Sequence, residues 1–86
     1  MPEISRFLGI VISMYFSEHH PPHFHARYGE HKAEIAIETL SLIAARLPPR
    51  VLGLVMEWAA LHRVELLEDW GLARRSANLN RIAPLE

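Results

Sequence analysis

The chain has 86 residues, half of them hydrophobic and 22% charged, with a formal net charge of −1 and no cysteine. That length has room for one hydrophobic core and not two. The charge balance excludes an overall basic field for nucleic acid or membrane, and the lack of cysteine excludes disulfides and thiolate metal sites.

The first segment, "MPEISRFLGIVISMYF", carries an apolar run too short for a membrane span and no small-residue cleavage site. It reads as part of a folded, cytoplasmic protein. Within it Leu8, Ile10, Ile12, Met14 and Phe16 alternate with Gly9, Val11, Ser13 and Tyr15, the pattern of one half-buried strand. "HHPPHFH", residues 19–25, then holds four of the six histidines, and its two prolines force a loop. "HFHARY" and "HKAEIAIE" alternate in their turn around Gly29-Glu30, a two-residue hairpin turn. That turn sets Tyr28 opposite His31, Ala26 opposite Ala33 and Phe24 opposite Ile35. Phe24, Ala26, Tyr28, Ala33, Ile35 and Ile37 then share a core face, while a one-residue slip would put Phe24 beside Glu34. On the outer face the same register places His25 opposite Glu34 and Arg27 opposite Lys32.

"LSLIAARL" fits a short strand or a loop equally well. Pro48 or Pro49 suits a helix start, and strong helix formers run from Arg50 to about Arg75. One straight helix of that length would reach about 40 Å, so a break between Leu61 and Glu65 is expected. Gly53 is costly inside a helix unless a sheet or a partner approaches it closely. Leu79 to Ala83 could add an edge strand. The expected fold is α+β and a single domain over residues 1–86. An antiparallel sheet of three or more strands in residues 7–46 packs against one or two helices in residues 49–76, with a tail at 77–86.

These segments carry a resemblance. "MPEISRFLGIVI", "HHPPHFHARYG" and "EWAALHRVELLEDW" resemble, in order and over nearly the whole chain, the small bacterial proteins grouped as domain of unknown function 4160. His20 departs from the usual Asn of that pattern, and Thr39-Leu40 from a Gly-containing turn. No activity travels with the family. The resemblance implies one half of a two-gene module of toxin–antitoxin or regulatory type, whose partner is a neighbouring small protein.

Three uses of the histidine-rich face remain open. His23 and His25, two apart on one strand face, with His19 or His20 swinging in from the loop, form a zinc arrangement, with Glu34 or Glu18 as a fourth ligand. Alternatively His23 and His25 act as proton-transfer groups, Glu34 orients His25, Arg27 stabilises phosphate charge and Tyr15 donates a hydrogen bond. That is a kit for metal-free RNA cleavage. Arg74 and Arg75, with Arg81 nearby, offer a further phosphate contact. The third use is a binding module. The run from Val51 to Leu61 has one charged residue, Glu57, and such a helix needs cover from several sides. Val51, Leu54, Val55 and Trp58 are therefore the expected interface with a second copy or with the neighbouring protein. This third reading leads; no cofactor is required by it, and zinc is the candidate for the others. His62 on the apolar stripe reads as a core or helix-junction residue, and Trp58 and Trp70 as core anchors.

Overall fold

Seven elements appear in the computed structural model, which describes residues 2–16 and 19–85. Strands β1 (Glu3–Phe7), β2 (Ile10–Ser13), β3 (His23–Tyr28), β4 (His31–Ala36) and β5 (Leu42–Ala45) precede helices α1 (Pro49–Leu61) and α2 (Arg63–Arg74). The strands form one antiparallel sheet in the order β1-β2-β3-β4-β5. The fold is α+β, with every strand ahead of every helix.

The β3–β4 hairpin has the register that the hydrophobic pattern dictates. His25 pairs with Glu34, Ala26 with Ala33, Phe24 with Ile35 and Arg27 with Lys32 around Gly29, whose φ is +59°. Phe24, Ala26, Ala33, Ile35 and Ile37 are buried. Tyr28 departs from this set, being 38% exposed at the sheet's end, where it covers the backbone of Gly9. A Cβ on Gly9 would lie 3.4 Å from the Tyr28 ring.

The first apolar run is not one strand. It folds back at Leu8 and Gly9, both with positive φ (50° and 80°), so that Phe7 pairs with Ile10. Two successive left-handed residues define a tight two-residue hairpin turn, for which leucine is an unusual first residue. Leu8 and Phe16, expected in the core, are therefore exposed. "LSLIAARL" resolves into β5, a short exposed edge strand.

Helix α1 starts with Pro49 at its first position and ends at His62, where φ −121° and ψ 26° leave the helical region and α2 begins. Trp58 sits at the centre of the core, its ring 5.5 Å from Phe7 and 5.9 Å from Phe24. Val51, Val55 and Trp58 are buried in the chain's own core and are not an exposed interface; Leu54 is half-buried. The sheet supplies the cover that the apolar helix needs. Apolar surface is left instead at the helix junction, on Leu61 and Val64 (68% and 70% exposed) and on Leu67. No atom approaches a Cβ built on Gly53 within 4 Å, so no sheet contact within this chain explains that glycine.

The tail is not a strand. It runs beside β1 and is held by three bonds: Ile82 N–H to the Ile4 carbonyl (2.8 Å), Trp58 Nε1–H to the Ala83 carbonyl (2.8 Å), and Asn80 N–H to Asp69 Oδ1 (2.9 Å). Arg81 adds ion pairing to Glu3 (3.3 Å). Paired to Arg6 at 2.8 Å, and to Arg81 besides, the Glu3 carboxyl is held down to about 2.

Candidate functional site

The site grows from the pleat of β3 and the hairpin opposite it. Alternation places His23, His25 and Arg27 on the face opposite Phe24 and Ala26, and the register brings Glu34 of β4 across from His25. One ligand atom each from His23, His25 and Glu34 lies within 4.8 Å of the others. The Glu34 carboxylate leans to the diagonal neighbour, with Oε1 3.8 Å from His23 Nε2. The His23 and His25 rings stand 5.3 Å apart, and His25 meets Tyr15 edge-on at 4.3 Å.

His23 is only 6% exposed, not an open edge residue. Its ring packs 5.2 Å from Trp70 of α2, and its Nδ1 lies 2.8 Å from the Pro21 carbonyl. A carbonyl can only accept, so Nδ1 carries the proton and donates. In the neutral ring Nε2 is then left with its lone pair, on the side of Glu34. Pro21 and Pro22 make this geometry, because each fixes φ and has no N–H to divert the loop.

The cleft over these groups has a volume of about 420 Å³ and is lined by Tyr15, His19, His20, Pro21, His23, His25, Glu34 and Ile43. His19 stays at its rim, outside the three-residue cluster. Glu18 lies outside the described residues. His20 accepts from Arg74 Nη1 at 2.5 Å, which ties the loop to the end of α2. Arg27 is four residues from His23, about 13 Å along an extended strand. Arg74 is engaged with His20 and Arg81 with Glu3. Arg75, at the end of α2, is exposed. His62 donates from Nδ1 to Glu65 and packs on Trp58, a junction role.

Sequence reasoning missed two parts of the site. The Pro21 carbonyl sets the His23 tautomer, which no residue type announces. Trp70 walls the site through His20 and His23 (5.8 and 5.2 Å) as well as packing in the core; its helical spacing signals only the second role.

The arrangement defines a class: a small sheet domain presenting two imidazoles and a carboxylate in an open cleft. The profile of a domain of unknown function, DUF4160, matches residues 9–71, so the chain belongs to that family. No curated protein and no solved structure matches it. No helix among the described residues is long and apolar enough to cross a membrane.

Proposed function

We propose that the cleft is a binding site for a divalent transition metal of the zinc class, with His23, His25 and Glu34 as ligands. The observation that carries this reading is the fixed His23 ring, whose Nδ1 is occupied by Pro21 while Nε2 faces Glu34 at 3.8 Å. A second hydrogen bond that orients a ligating histidine is the usual support of a metal site. Ligand atoms around tetrahedral zinc lie about 3.3 Å apart, so the cluster needs to contract by tenths of an ångström to about 1.5 Å. Two imidazoles and a carboxylate suit zinc better than magnesium or calcium, which take oxygen ligands. The test is equilibrium dialysis against zinc with elemental analysis of untagged protein. One zinc per chain is expected in the wild type and less than a tenth of that in His25→Asn or Glu34→Gln. Equal uptake by all three would end the proposal.

A second reading, a protein-binding component of a two-gene module, is favoured by the exposed Leu61, Val64 and Leu67 at the helix junction. Copurification with the product of the neighbouring gene should be lost in Val64→Glu. Retention of the partner by that variant counts against this surface. The metal-free ribonuclease reading would use the same His23, His25 and Glu34 with Arg27, and is carried by no observation beyond their shared sheet face.

A further inference from the structure

Beside the metal cleft, and sharing His25 and Tyr15 with it, a second recess opens on the outer sheet face. Val11, Ser13, Ala26, Arg27 and Lys32 complete its lining. The register sets Arg27 of β3 directly opposite Lys32 of β4, and Val11 of β2 opposite Arg27 on the other side. Like charges directly opposite in an antiparallel pair repel. Among the described residues neither cation has a carboxylate partner, and no carboxylate lines the recess. This is a concentrated positive site on a chain whose formal net charge is −1.

We propose that this recess binds the phosphate group of a phosphate ester. Arg27 offers a planar fork for two phosphate oxygens and Lys32 a point charge for a third. Ser13, also in the lining, adds a neutral hydroxyl donor at the wall. A carboxylate, with two oxygens, would leave part of that donor set unused. An anion between the two cations also removes the cross-strand repulsion, so binding and stability are coupled. The recess needs no metal, and His25, which lines both, lets one ligand touch both.

The experiment uses full-length protein freed of metal by chelator dialysis. Inorganic phosphate, phenyl phosphate (a monoester) and a thymidine dinucleotide (a diester) are titrated by calorimetry and by thermal melting, against sodium chloride at matched ionic strength. Saturable binding with a rise in melting temperature beyond chloride is expected for inorganic phosphate and for at least one ester. The tighter of the two esters identifies the source of the group. Lys32→Gln should melt no lower than wild type without phosphate, yet bind at least tenfold more weakly. Arg27→Gln should weaken binding at least as much, and Arg27→Lys less. Glu34→Gln, which removes a metal ligand and a neighbouring negative charge, should bind phosphate at least as tightly as wild type, so failure of the metal site and of this site are read separately. Phosphate and both esters acting no differently from chloride, or unchanged affinity in Lys32→Gln and Arg27→Gln, would overturn the proposal.

Discussion

Single side chains in this fold carry conflicts that pH exposes. Asp69 is fully buried on α2, with Oδ1 accepting from Asn80 N–H and Oδ2 unpartnered among the described residues. Burial pushes its carboxyl above the usual range, and the Asn80 bond only partly offsets this. The neutral acid is thus the form that the fold prefers. Its contribution is complete below the ordinary carboxyl pKa and is lost as pH rises through the raised value. Glu3 works the other way. Held down to about 2 by Arg6, it stabilises the fold above its ordinary value of 4.5 and loses this as pH falls towards 2. Asp69→Asn keeps the acceptor for Asn80 and removes the buried charge. It should raise stability at pH 7 by about 1 kcal/mol and match the wild type near pH 3, where Asp69 is protonated. Thermal melts followed by circular dichroism at the two pH values check this; a gap of equal size at both would refute it.

Among elements, the hairpins show what the amino-acid pattern can and cannot convey. Around Gly29 the turn chemistry and the apolar alternation agree, so the register follows, and with it the meeting of His25 and Glu34 across the sheet. At Leu8-Gly9 they disagree. Leucine gives no turn signal and continues the alternation of Ile10 and Ile12, which conceals a second hairpin inside what reads as one strand. The site divides in the same way. Pleat and register foretell which side chains share the outer face, but the burial of His23 depends on Trp70, 47 positions away in the sequence. The hidden turn is also correctable. Leu8 is 65% exposed with φ 50°, so Leu8→Asn would leave the core intact and supply the Asn-Gly pair that such turns favour. A gain of about 0.5–1 kcal/mol in urea unfolding is expected, with an unchanged slope. A loss of stability would mean that the Leu8 side chain packs more than its exposure indicates.

For the whole molecule, the sheet is sealed at one side and open at the other. The tail bonds to β1 through Ile82 and Arg81, whereas β5 is an exposed edge whose Ile43 borders the histidine cleft. The apolar helix invited a partner-facing reading because its periodicity shows a stripe but not what covers it, and here the sheet of the same chain does so. The proposed metal ties these parts together. Its ligands come from two neighbouring strands, and the wall behind His23 comes from α2, so a metal bound only by the folded arrangement stabilises sheet and helix as one unit. At a free zinc concentration one hundred times the dissociation constant the gain is about 2.7 kcal/mol. For a domain of this size, each kcal/mol is worth about 4–8 °C in melting temperature. Zinc should therefore raise the wild-type melt by about 10–20 °C and leave Glu34→Gln almost unmoved. Glu34 is half-exposed, so that variant should fold normally without metal. Trp70→Phe provides the complementary measurement. It keeps a ring against His23, so zinc should still raise its melt even though its metal-free melt is lower. A zinc shift of the same size in Glu34→Gln as in the wild type would show that the ion binds elsewhere on the chain.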